Sequence, residues 1–355
     1  MSTIFNPLKL KNLTLSNRIV VSPMCQYTAE DGFANNWHLV HLGQFATGKA
    51  GAIIQEATAV VPEGRISYGD LGIWKDEHIA KYQEITSFIK EQGSIPGIQL
   101  AHAGRKASTD KPWLSRKQFA PNEENGWQTV SSTGIPYLDS EHAPKALALD
   151  EIKKLVEHFA DAAERAVQAG YQIIEIHAAH GYLIHQFLSP IINNRTDEYG
   201  GSFDNRIRLL LEIVAAVNTK LDERHSLWVR ISATDWADGG WDLDASVALV
   251  KLLKEAGVEV MDISTGGAVH WQKIPVEPAY QVPFATRIKQ ETGMITGSVG
   301  LITSANQADE IVERDQADFI LIGRAFLDDP HLVYHWAKDL NVDLAWPHQY
   351  ERAKS

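Results

Sequence analysis

The chain has 355 residues, 44% hydrophobic and 22% charged, an ordinary globular composition with length enough for a large core. Forty-five acidic against 33 basic residues give a formal charge of −12, which argues against nucleic-acid or membrane-surface partners. A single cysteine, Cys25, excludes an internal disulfide, an iron–sulfur centre and a cysteine-built zinc site.

The opening segment, MSTIFNPLKLKNLTLSNR, lacks the long apolar region of a signal peptide. No apolar run reaches the roughly 18 residues that would predict a membrane-spanning helix. Cytoplasmic residence is the expectation.

In chain order, RIVVSPM (18–24) and GAIIQEA (51–57) read as short buried strands, apolar in the middle and rich in Ile and Val. A helix over 76–93 follows, then the strand PGIQLAH (96–102). Residues 103–148 form a long connection. The stretch 149–170 places Ile152, Leu155, Val156, Phe159, Ala163 and Val167 on one stripe and stops at Gly170. QIIEIHA (172–178) is the fourth strand, followed by a second long connection over 185–206. LWVRISA (227–233) leads to a helix over 244–257, with Asp244 as its cap and Gly257 as its stop. VEVMDIS (258–264), MITGSVG (294–300), a helix over 303–316 and DFILIGR (318–324) complete the pattern.

Eight β/α units without a linker predict a single-domain (β/α)8 TIM barrel over 1–355. An open doubly wound sheet is the alternative, but no GxGxxG follows the first strand. Both long connections follow strand C-termini, where barrel active sites are built.

The strand ends then become the candidate site. GSVG and IGRAF put Gly300, Gly323 and Arg324 after strands seven and eight, the usual phosphate corner of a barrel. Arg230 lies in an apolar strand and must be paired, for instance with Glu175, or face an anionic ligand. Gln99 sits in a similar strand. A phosphate-tailed ring with a polar edge would span these positions, and flavin mononucleotide has that shape. Cys25, at another strand end, is either inert packing or a ligand neighbour. HAAHGY, from His177 to Tyr182, is open between a metal pair, an acid–base pair and core packing. His185 and Gln186 are assigned to structure.

NPLKLKNLTLSNRIVVSPMCQY, IQLAHAGRKA, EIHAAHGYLIHQFLSPIINNRTDEYGGSFDNRIRLLLEIV, ILIGRAFLDDPHL and QYERA together resemble the Old Yellow Enzyme family of flavin-dependent ene-reductases. The resemblance runs through nearly the whole chain and is strongest to the thermophilic-like branch, including the xenobiotic reductase A type. It implies tight, non-covalent FMN, with Ser22, Pro23, Met24, Cys25, Ala57, Gln99 and Arg230 along the ring. Gly323 and Arg324 would hold the phosphate, with Gly300 near it. His177 and His180 would bind the substrate oxygen, Tyr182 would donate the proton and Tyr27 would add a hydrogen bond. Cys25 would tune the flavin potential. Lys106 matches a family lysine near the site.

The resemblance also implies a homodimer or homotetramer in which the tail (about 338–355) sends Arg352 into a neighbouring subunit's site. Trp271 and Trp346 are further candidates at the pocket. NADPH or NADH would reduce the flavin. An activated C=C bond of an α,β-unsaturated aldehyde, ketone, imide or nitro compound would then accept hydride, by ping-pong kinetics. Three rivals stand beside this reading. A metal-dependent barrel hydrolase could use His177 and His180 with Asp262, although the further ligands of such a site are missing, so no metal is expected. A tRNA-modifying flavin reductase would want a basic face. A non-catalytic scaffold would not need polar groups at so many strand ends.

Overall fold

The computed structural model describes residues 2–354. An antiparallel hairpin, β1 (Leu8–Lys9) and β2 (Thr14–Leu15), precedes the barrel. The barrel strands are β3 (Ile19–Val21), β4 (Ala52–Ala59), β5 (Ile95–Ala101), β8 (Ile173–Ala178), β9 (Ser226–Ser232), β10 (Val260–Ser264), β11 (Ile295–Ser298) and β12 (Phe319–Ile322). They close in that order, all parallel, with β12 against β3. β6 (Val130–Ser131) and β7 (Lys145–Ala146) form a small separate parallel pair in the first long connection.

Outside the strands lie α1 (Asn36–Thr47), α2 (Ile79–Glu91), α3 (Leu149–Gln168), α4 (Leu183–Leu188), α5 (Phe203–Asn218), α6 (Leu243–Glu255), α7 (Val282–Thr292), α8 (Ala305–Glu313), α9 (Arg324–Asp328) and α10 (Leu332–Asp339). In α3, Ile152, Leu155, Phe159 and Ala163 are buried, while Val156 and Val167 lie at the edge of the stripe. The cap of α6 is Asp242, whose side chain accepts from Ala245 N at 2.8 Å. Asp244 instead sits in the first turn and pairs with Arg287. Among the described residues no helix is long and apolar enough to cross a membrane.

The pleat turns every second strand residue inward. At the N-terminal end those residues are Val20, Ile54, Ile173, Trp228, Val260, Phe319 and Leu321, which cluster with the hairpin leucines Leu8, Leu10, Leu13 and Leu15. The hairpin thus plugs the barrel floor. One step up, the inward positions become Gln99, Glu175, Arg230 and Asp262, all buried. Gly297, between these layers, leaves room for Phe319, whose ring would lie 2.4 Å from an added Cβ.

The second long connection contains α4 and then a bracing loop. Arg195 forks onto Asp197 and donates to the carbonyls of Ser132 (2.9 Å) and Leu147 (2.7 Å), tying both long connections together.

Candidate active site

Beyond β8 the chain turns sharply. His180 (φ 59°) and Gly181 (φ 72°) both take left-handed backbone, unusual for a non-glycine residue. Side chains hold this turn from several directions. Gly181 N–H donates to His185 Nδ1 at 2.9 Å, and its carbonyl accepts from Gln186 Nε2 at 2.7 Å. Lys106 Nζ donates to the carbonyls of His180 (2.9 Å) and Gly267 (3.2 Å). His185 and Gln186 are therefore scaffold, and His185 also pairs with buried Asp235 at 2.8 Å. Gly181 and Gly267 meet so closely that a Cβ on Gly181 would stand 2.0 Å from the Gly267 oxygen.

The turn delivers a ring cluster. His177 meets His180 edge to face at 5.2 Å and Tyr182 at 4.9 Å. Burial, then the Arg230 charge, pushes both imidazoles well below the ordinary histidine range, so both are neutral near pH 7. His177 Nδ1 accepts from Ala179 N at 3.2 Å, which places its proton on Nε2. His180 Nε2 lies 2.7 Å from Ser264 Oγ. Gln281 Oε1 already accepts from Thr265 at 2.7 Å and is the longer contact of Ser264, at 3.1 Å. The Ser264 proton is accordingly assigned to His180 Nε2, leaving the ring proton on Nδ1. Burial, followed by the neighbouring Cys25, raises both Tyr182 and Tyr27, so both phenols stay protonated. Tyr27 and Tyr182 line one cavity of about 490 Å³ with Lys106, Arg116 and Tyr137.

A second cavity, of about 280 Å³, runs from Met24 and Arg230 past Ser264 and Gln281 to Gly300, Gly323 and Arg324. Gly300 has φ 120°, and a Cβ there would stand 2.8 Å from the Gln281 amide. Arg324 is exposed and forms no ion pair with the described residues. Arg230 lies 3.1 Å from Asp262 through Nε, close enough for charge pairing but not aligned for a hydrogen bond. Its partner is Asp262 rather than Glu175 because β9 sets Arg230 beside Asp262, whereas Glu175 lies beside Trp228 and Gln99. Two guanidinium groups lining one cavity fit a ligand with a phosphate tail and a polar ring edge, as FMN has.

Ser22, Pro23 and Cys25 follow β3 at this mouth, and Ser22 N–H donates to the Ile322 carbonyl at 2.9 Å. Burial, with Asp70 and Glu56 adding to it, pushes the Cys25 thiol upward. Ala57 follows a register shift in β4, where Glu56 swings to accept from Gln26 N at 2.8 Å. Trp271 is exposed and packs edge-on against His270, which bonds the Tyr137 carbonyl. Trp346 stacks on Tyr334 of its own chain at 4.3 Å, and Arg352 is exposed in a short terminal turn. Ser264 is legible from sequence as a strand end at the mouth, whereas Gln281, 17 residues later, and Asp70 carry no such signal.

Among the described residues no three His, Cys, Asp or Glu side chains converge as a metal-ligand set. A barrel with this mouth belongs with flavin-dependent oxidoreductases, and sequence comparison agrees. The profile of the NADH:flavin oxidoreductase / NADH oxidase family matches residues 3–343, and the chain belongs to that family. It is similar to the NADPH dehydrogenases of Bacillus subtilis (strain 168), 46% identical over 98% of both chains, and Bacillus pumilus (strain SAFR-032), 47% identical over 99% of this chain and 98% of that one. Morphinone reductase in complex with tetrahydroNAD superposes with a TM-score of 0.79 at 27% identity, over 98% of this chain and 93% of that one. A 2-naphthoyl-CoA reductase gives 0.85 at 22% identity, a likeness of fold in which this chain covers 95% of itself and 52% of that protein. The chain is an FMN-dependent, nicotinamide-using oxidoreductase of the Old Yellow Enzyme type.

The Gly181–Gly267 contact gives a direct test of the turn. Gly267 has φ 91° and a Cβ there would lie 2.5 Å from the His180 backbone, whereas Gly201 (φ 79°) has open space. Gly201→Ala should lose about 1–2 kcal/mol from backbone conformation alone. Gly267→Ala should lose clearly more, seen as a larger drop in thermal midpoint. Equal drops would show that the two loops do not need this close approach.

Proposed function

We propose that the chain is an ene-reductase that saturates the activated C=C bond of small enals, enones, maleimide-type imides or nitroalkenes. Bound FMN, once reduced by NADPH or NADH, supplies the hydride. His177 Nε2–H and His180 Nδ1–H donate to the substrate's carbonyl or nitro oxygen. Negative charge grows on that oxygen during reduction, so these donors act where they stabilise the transition state most. Tyr182 gives its proton to the substrate carbon next to the carbonyl or nitro group, from the face opposite the hydride. Tyr27 adds a second phenol at the same cavity. The observation that carries this reading is the His177–His180–Tyr182 cluster, neutral and edge to face. The morphinone reductase likeness, which includes a bound nicotinamide analogue, supports it.

Gln99 and Arg230 would hold the polar edge of the ring, with Ser22, Pro23, Met24, Cys25 and Ala57 along it. Arg324, Gly323 and Gly300 would hold the phosphate. Cys25 would adjust the flavin potential as a neutral thiol. Its single free sulfur suits the reducing cytoplasm, which we infer as the location. Arg352 of one copy would reach a neighbouring copy's mouth in a homodimer or homotetramer, with Trp346 and Trp271 shaping the pocket.

Three measurements test this. Tyr182→Phe should leave flavin reduction by NADPH near normal and slow flavin reoxidation by 2-cyclohexenone on the order of 10²-fold or more. Collapse of the reductive half alone would refute the role. Ser264→Ala removes the donor that sets the His180 tautomer and should slow reoxidation about tenfold, the worth of roughly one hydrogen bond. An unchanged rate would remove Ser264 from the account. Arg324→Ala should shed FMN on desalting, whereas Arg352→Ala should retain FMN and raise the substrate KM. The opposite pattern would exchange their assignments.

A further inference from the structure

Gln99 and Arg230 share their level of the barrel with two carboxyl groups that substrate chemistry does not use. Glu175 and Asp262 both point into the barrel and both have 0% exposure. Asp262 lies 3.1 Å from Arg230. Glu175 Oε1 accepts from Gln99 Nε2 at 2.8 Å, while Oε2 is buried without a partner. Both Asp262 oxygens also lack an aligned hydrogen bond. The facing groups are few. Arg230 on β9 and Asp262 on β10 carry charge, β5 contributes the uncharged Gln99, and His177 is the next titratable group along β8 itself. Two carboxyl groups therefore share one cation in a layer sealed below by the apolar plug.

Charge counting decides what such a layer can hold. A second buried anion with no second cation is far costlier than a neutral acid. The ionised member must be the one beside the guanidinium, which is Asp262.

We propose that Glu175 is a positioning residue held as a neutral carboxylic acid, so that Asp262 alone balances Arg230, while the Glu175 carbonyl oxygen takes one Gln99 N–H and the Gln99 amide oxygen is left for the ligand. Glu175 uses one N–H of Gln99, which leaves the amide oxygen on the other side. That oxygen would accept from a ring N–H of bound FMN, with Arg230 offering donors beside it. With only one carboxylate in the layer, Arg230 keeps enough field to favour negative charge at the ring edge. Burial first, and Asp262 second, raises Glu175 far above the carboxylate range, to about 8, against weaker pulls from Arg230 and Gln99.

Asp262 is raised less, to about 6, because the Arg230 charge pulls it back against burial, and the linkage sign for Glu175 follows from its unfolded value of 4.5 and its folded value of about 8. Between them the unfolded chain has released a proton that the native protein retains, so stability falls as pH rises through that window. Glu175→Gln keeps the shape and neutrality and removes this titration. Thermal midpoints of wild-type and E175Q holoenzyme should converge near about pH 4.5 and separate in favour of E175Q toward about pH 8. A constant offset would overturn the proposal. Midpoint potentials of bound FMN should agree at about pH 6, with wild type falling below E175Q above about pH 8, where Glu175 ionises. A potential already higher in E175Q at about pH 6 means an ionised Glu175 and overturns it. Should E175Q fail to fold, infrared spectra still decide when read on Glu56→Gln protein carrying isotope-labelled glutamate, because burial also raises Glu56, Asp70 and Asp262. An isotope-shifted, deuterium-sensitive carboxylic-acid C=O stretch should be present at about pH 6 and vanish on titration above about pH 8, and its absence at the lower pH overturns the proposal. Stability and infrared readouts do not depend on the roles of His177, His180 or Tyr182, so failure here is distinguishable from failure of the ene-reductase reading.

Discussion

Closure of eight parallel strands is the constraint on which the rest depends. Once the sheet closes, the pleat sends alternate residues of every strand into one narrow interior. The chain fills that interior in levels. Large apolar side chains and the β1–β2 hairpin seal the lower end. Gln99, Glu175, Arg230 and Asp262 occupy the next level. Only above them does the chain open into loops. A polar level could not lie at the bottom, since a water-exposed floor would screen Arg230. Placed over a dry plug, the same charges act at low effective dielectric.

The loop after β8 shows how the mouth is built from that base. Its left-handed backbone is unfavourable alone and persists because neighbouring groups over-determine it. His185, Gln186 and Lys106 each satisfy a specific backbone group in the turn. None of these contacts reaches outward, yet together they fix the directions of His177, His180 and Tyr182. Lys106 sits with its Nζ 5.2 Å from the Tyr182 ring and 4.6 Å from that of Tyr137. Burial, with Arg105 next, lowers it to about 8. It therefore ties two loops together without a carboxylate partner, using carbonyls and aromatic faces in its place.

Much of this was legible in the sequence, for identifiable reasons. Buried parallel strands are short β-branched runs, and all eight were readable as such. Strand ends in a barrel converge, so reading them located His177, Arg230, Gly323 and Arg324 without coordinates. Pairing across strands was less accessible. Arg230 takes Asp262 because of inter-strand register, which local sequence does not encode, and Glu175 was an equally reasonable guess. The α6 cap moved from Asp244 to Asp242 because two acidic residues flank the helix start and only backbone geometry chooses between them. Gln281 escaped because its contact with Ser264 is made by a loop returning to the mouth.

The same levels account for the balance of charge at the mouth. Burial keeps the histidine pair, both tyrosines and Cys25 in their neutral forms. Fixed charge near the ring edge is then confined to Arg230 and the carboxyl groups that share its level. In a chain with formal charge −12, a locally cationic floor cannot arise from composition. It arises because Arg230 and Arg324 open onto one cavity, while the Asp262 carboxyl group lies beside Arg230 in the same buried level. The barrel thereby separates two requirements that oppose each other in solution, a strong local field for an anionic ligand and an acidic surface on the protein as a whole.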